Sequence, residues 1–63
     1  DASAHMNLGA MLHFLEKYQE AESSYLRALM LDPSNPSTRI NLQRLHNIMK
    51  KRGLATSSKI SVI

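Results

Sequence analysis

Apolar residues recur at spacings of three and four along three stretches of this chain, the periodicity of amphipathic helices. In the first stretch, His5, Leu8, Met11, Leu12 and Leu15 form a stripe, and Asp1 or Ser3 can cap a helix over about residues 3–15. A second group on the same stretch, Met6, Ala10 and Phe14, recurs every four residues on another side. One helix of a hairpin cannot bury both groups, so something further is expected to cover the second. Glu16 and Lys17 make a short turn without the glycine often found there. The next helix is predicted over residues 18–31, with Ala21, Tyr25, Ala28 and Leu29 on its packed side and Glu20, Glu22 and Arg27 on its wet side. Pro33 stops it, because proline has no amide hydrogen to extend the ladder.

Gly9 and Ala21 lack the bulk to hold two backbones apart, so they mark where the first two helices touch. Leu8, Leu12 and Leu15 on one helix, with Tyr18, Tyr25 and Leu29 on the other, are expected to supply apolar surface around that contact. Asn35 is placed as an N-cap with Pro36 at the first helical position, opening a third helix over about residues 36–52 that Gly53 closes. Its inner stripe is Leu42, Leu45 and Met49, with Ile40, Asn41, Arg44 and Ile48 on other faces. The fold class is therefore all-α, a helical hairpin followed by one more helix. Residues 54–63 carry no helical stripe and read as a flexible tail.

A chain of 63 residues holds at most one domain. At that size folding buries only about 60% of the unfolded surface, so marginal stability is expected. Without cysteine there is no disulfide and no thiolate zinc site. No apolar run approaches the roughly 20 residues of a membrane span, and no signal-peptide pattern opens the chain, so the segment reads as soluble, whatever it is attached to. The formal charge of +3 is mild and owes much to Lys50, Lys51, Arg52 and Lys59. Nucleic-acid binding is not expected: one Phe and two Tyr, all near the hairpin core, do not interleave with that cluster. Its cations suit the negative end of a helix.

Chemistry is scarce. His5 and His13 lie eight residues apart on one helix, too far to share a metal, and no carboxylate is spaced to join either. His5 reads as a core filler and His13 as a surface residue; His46 completes the imidazoles. Glu20 and Glu22 diverge on their helix and make no acid–base pair. Both glycines are isolated, so no loop cradles phosphate, and serines in loops between short helices give no frame for a nucleophile triad. Asn35-Pro36-Ser37 fails as a glycosylation acceptor because proline intervenes. No catalytic residue, cofactor or metal ligand is expected.

The pattern His5, Leu8-Gly9, Leu12, Tyr18, Ala21, Tyr25, Ala28, Leu31 and Pro33 closely resembles the tetratricopeptide repeat (TPR), with His5 where Trp is usual and Leu12 where Tyr is usual. The resemblance implies a hairpin over residues 1–35, a capping helix over 36–53 and a tail over 54–63, together a fragment of an α-solenoid. The third helix begins 34 residues after the first pattern, and Asn41-Leu42 echoes Asn7-Leu8. Gln43 stands where Gly9 stood, however, and no further aromatic helix follows, which resembles the solvating helix that ends a TPR array.

In that family the first helix of each hairpin lines a groove for an extended peptide or protein partner. The resemblance assigns Ser3, Met6, Asn7, Ala10, His13 and Phe14 to that groove, with Ser37, Ile40, Asn41 and Arg44 from the third helix. Asn7 and Asn41 would bond a peptide backbone, and Arg44 a carboxylate. Met6 and Ala10 occupy polar positions of the family's carboxylate clamp, which argues against chaperone-tail binding. Alternatively Met6, Ala10 and Phe14 pack against a preceding repeat, and the isolated chain is expected to self-associate through them or by swapping a helix. Ser61, Val62 and Ile63 resemble the tail that PDZ domains take as an added strand.

More narrowly, Ala4-His5-Met6-Asn7-Leu8-Gly9-Ala10, Tyr25-Leu26-Arg27-Ala28-Leu29, Asn41-Leu42-Gln43-Arg44-Leu45-His46-Asn47-Ile48-Met49 and Gly53-Leu54 resemble the C-terminus of the transmembrane and TPR-repeat-containing proteins. That resemblance implies a non-catalytic module on the endoplasmic reticulum lumen side of a membrane protein linked to O-mannosylation of cadherin-type clients. The alternative is a soluble cytoplasmic TPR adaptor with a PDZ-binding tail.

Overall fold

The computed structural model describes residues 1–56. Three helices follow one another, α1 (Ala2–Phe14), α2 (Tyr18–Leu31) and α3 (Pro36–Lys51), and no strand occurs among the described residues. The chain's own side chains set their starts. The Asp1 carboxylate accepts the Ala4 amide at 2.8 Å to open α1, and the Asn35 amide oxygen accepts the Ser37 amide at 2.9 Å to open α3 at Pro36. In the loop between α2 and α3 the Arg39 Nε–H donates to the Pro33 carbonyl at 3.2 Å.

The ends of α1 and α3 share one device. At the end of α1 the Glu16 amide donates to the His13 carbonyl and the Lys17 amide to the Leu12 carbonyl, with Glu16 left-handed at φ +64°. At the end of α3 the Gly53 amide donates to Lys50 and the Leu54 amide to Met49, with Gly53 at φ +71°. Glycine adopts that backbone freely and glutamate does not. Glu16→Gly is therefore expected to raise stability by about 0.5–1 kcal/mol, the steric relief exceeding the added entropy of the unfolded chain. Urea unfolding followed by circular dichroism measures it. The Arg52 guanidinium 3.8 Å from Glu16 changes this little, since both side chains are more than half exposed.

Helix α2 lies in the middle, packed on α1 along one side and α3 along the other, while α1 and α3 barely touch. The molecule measures 30 × 28 × 15 Å, so thin that every helix keeps a solvent face. Its core is Tyr18, Ala21, Tyr25, Leu45 and Met49, with Met6, Leu12, Leu42 and Ile48 half-buried against it, so Ile48 joins the inner face rather than another one. Gly9 is buried under the Tyr25 ring, and Ala21 and Ala28 are fully buried. Burial holds the Tyr25 phenol above its ordinary value of about 10. Above that pH the unfolded chain releases this proton while the folded one keeps it, so stability should fall as pH climbs past about 10. Unfolding of Tyr25→Phe should show a shallower decline there.

The Gly9 contact also fixes how α1 is rotated. At about 100° per residue, the arc centred on Gly9 holds Ala2, His5, Met6, Leu12 and His13, and all of these are at least half-buried. Leu8 and Leu15, expected to surround the contact, fall outside that arc and are exposed. His5 lies within the arc, about 40° from Gly9, yet is not a member of the core.

Candidate functional site

Of the groove positions on α1, Ser3, Asn7, Ala10 and Phe14 form one exposed strip. Phe14 is 85% exposed, an unusual cost for a phenyl ring with no compensating burial. Met6 and His13 belong instead to the arc that turns inward. Met6 packs against the core, and the His13 ring meets Tyr18 edge to face at 5.7 Å. His13 is thus a packing residue at the hairpin end rather than a free surface imidazole. On α3, Ser37, Ile40 and Arg44 are exposed and Asn41 half-buried, again along one strip. Since α1 and α3 barely touch, the two strips are not packed against each other along their length.

The expectation for Glu22 is overturned. Far from the wet side, its carboxylate is 2% exposed and lies 2.7 Å from His46 Nε2, joining α2 to α3. The signal was present in the spacing: Tyr18, Glu22, Tyr25 and Leu29 form one continuous stripe, and His46 adjoins Leu45 on the inner face of α3. Reading glutamate as solvent-facing by residue type hid it. Among polar side chains, Thr38 near the start of α3 is also buried.

A second cluster forms where the chain leaves α3. The Arg52 guanidinium sits 5.2 Å from the centre of the Tyr18 ring, Leu54 lines an open depression of about 370 Å³ with Glu16, Lys17, Tyr18, Gln19 and Glu20, and Gln19 Nε2 donates to the Ala55 carbonyl at 3.3 Å. Residues 52–55 thereby strap α3 to the hairpin turn. His5, Leu8, Ser23, Ser24 and Arg27 line a further depression of about 290 Å³. The second brings the His5 imidazole and the Ser23 and Ser24 hydroxyls to one open depression. Among the described residues no group of three or more His, Asp or Glu could hold a metal ion, and no helix is long and apolar enough to cross a membrane. Ser61, Val62 and Ile63, and most of the tail reading, lie outside the described residues.

Comparison with known proteins agrees with this architecture. Residues 2–35 match the family model of the tetratricopeptide repeat. The chain is also 54% identical over 55 residues to the human (Homo sapiens) Protein O-mannosyl-transferase TMTC2, an alignment covering 87% of this chain and 7% of that protein. The chain thus corresponds to a small part of that relative's length. No solved structure matches it. With the hairpin, the Gly9–Tyr25 contact and the sequence match all falling on the same residues, the chain belongs to the tetratricopeptide repeat family.

Proposed function

We propose that this chain is a protein-interaction module, the terminal hairpin and cap of a longer array, and that its groove is the strip of Ser3, Asn7, Ala10 and Phe14 with Ile40, Asn41 and Arg44 beyond it. The observation that carries the reading is Phe14, whose ring stands almost entirely in solvent on the same strip as Asn7, an asparagine able to bond a peptide backbone. Its chemistry favours an extended segment with an apolar side chain for Phe14. Likeness to a protein O-mannosyl-transferase supports a parent linked to O-mannosylation. In this reading the repeats face the endoplasmic reticulum lumen and help to hold a cadherin-type client. The transferring chemistry would then reside elsewhere in the parent.

The test places a photo-cross-linking phenylalanine at position 14 of the cellular protein, with Lys51 as the exposed control. Adducts to a separate polypeptide at position 14 alone support the groove; equal yields at both positions refute it. For topology, an antibody to residues 39–52 is used on intact microsomes. An epitope protected until detergent is added supports the lumenal parent, whereas free digestion leaves a cytoplasmic adaptor.

A further inference from the structure

The smaller depression gathers hydrogen-bond donors that the fold itself leaves unused. Its walls are His5 and Leu8 from α1 and Ser23, Ser24 and Arg27 from α2, around about 290 Å³. No carboxylate is among them, whereas Glu16 and Glu20 both line the larger depression. Arg27 has no acid three or four residues away on its helix, and among the described residues it makes no ion pair. His5 and Ser24 are half-buried, and among the described residues neither side chain makes a hydrogen bond. Ser23 is the exception. Its hydroxyl donates to the Gln19 carbonyl at 3.3 Å, the usual resort of serine inside a helix. Ser24, one residue on, does not take the corresponding bond, so its hydroxyl proton is left for a ligand. We propose that this depression binds a phosphomonoester, the Arg27 guanidinium, the His5 imidazole and the Ser24 hydroxyl donating to the phosphate oxygens and the ester carbon lying against Leu8.

The donor set selects the ligand. Guanidinium, imidazole and hydroxyl reach the depression from two helices, and a tetrahedral phosphate has three terminal oxygens to give one to each. A planar carboxylate has two. Beside a phosphate the depression has room for the carbon group it esterifies, and Leu8, 43% exposed, gives that group an apolar wall. The closest helical acids do not compete for the donors. Glu20 stands two turns before Arg27, and the Asp1 carboxylate is taken by the Ala4 amide. At about 100° per residue, His5 and Leu8 face the other side of α1 from the strip that carries Phe14. A ligand here therefore leaves that strip open.

The test titrates the full chain, at fixed pH and ionic strength, with N-acetyl-O-phosphoserine amide, glycerol 3-phosphate, inorganic phosphate and acetate, and follows the histidine rings and arginine Nε–H signals by NMR. The His5 and Arg27 signals are expected to shift to saturation with the two esters while His13 and His46 stay in place. Arg27→Gln should weaken ester binding about tenfold and Ser24→Ala about threefold. Lys51→Gln removes the same charge from an exposed position outside the depression and should change it little. Leu8→Ser should erase the preference for the esters over inorganic phosphate. The tighter ester names the source, a phosphorylated protein or a small phosphate ester. Equal losses from Arg27→Gln and Lys51→Gln would mean diffuse attraction and overturn the site. Saturation by acetate at the same concentration as by the esters would overturn it too, as would shifts at His13 and His46 that match those at His5. Both exposed substitutions are checked by circular dichroism, so a loss of binding is read on folded protein.

Discussion

Gly9→Val is expected to cost the hairpin about 3 kcal/mol or more, over half of its stability. A Cβ built on Gly9 would lie 2.7 Å from Tyr25 Cδ1, 2.8 Å from Cε1 and 3.1 Å from Cγ. These atoms are the face of a ring that is 2% exposed, with core on its far side, so it has little room to withdraw. Two effects compete. Replacing glycine inside a helix gains up to about 1 kcal/mol in alanine's case and less for valine. Overpacking a filled core costs about 1–3 kcal/mol, and the branched valine adds two methyls to the methyl already in conflict. Alanine should thus cost about 1–2 kcal/mol net, and valine about 3 or more, against a total that for so short a chain sits near the low end of 5–15 kcal/mol. The ring is the cause, so Tyr25→Leu in the same chain should relieve part of the cost of Gly9→Ala. Urea unfolding of the two single variants and the double measures the coupling, expected to exceed about 1 kcal/mol. Additive costs would mean that the backbones, not the ring, set the approach.

That contact was legible because its logic is steric and local: a glycine and an alanine at helical spacing, facing aromatics, have few other uses. The caps were legible for the same reason. Asp1, Asn35 and Gly53 each do by residue type what their positions require. What the sequence hid depends on rotation. The stripe through Leu8, Met11 and Leu15 is as periodic as any in the chain, yet the Gly9–Tyr25 approach turns it outward and brings Met6 and His13 in. Periodicity finds an apolar face without saying which neighbour owns it, and α1 has two such faces besides the one it buries. The left-handed Glu16 was hidden differently, since nothing in a glutamate announces a φ of +64°. Only the reversal between α1 and α2 imposes it.

The buried glutamate gives the other large expected effect. His46→Leu should cost about 3 kcal/mol, a large part of the chain's stability, because it takes the imidazole from the Glu22 carboxylate at a site 2% exposed. Glu22→Leu should cost clearly less: the His46 side chain is 22% exposed and its ring can turn to water. The asymmetry follows from burial alone, and it reverses the intuition that losing the more buried residue is worse. Replacing both by leucine should return stability to within about 1 kcal/mol of the parent, since a pair of apolar side chains between α2 and α3 incurs no desolvation of charge. Thermal and urea unfolding of the two single variants and the double complete the cycle. If the double variant is as unstable as His46→Leu alone, the pair contributes a geometry that leucine cannot copy, and the link between α2 and α3 is a positioning device rather than a tolerated charge. If it recovers, the pair's value lies in specificity. The histidine on α3 then selects the helix whose buried face offers glutamate.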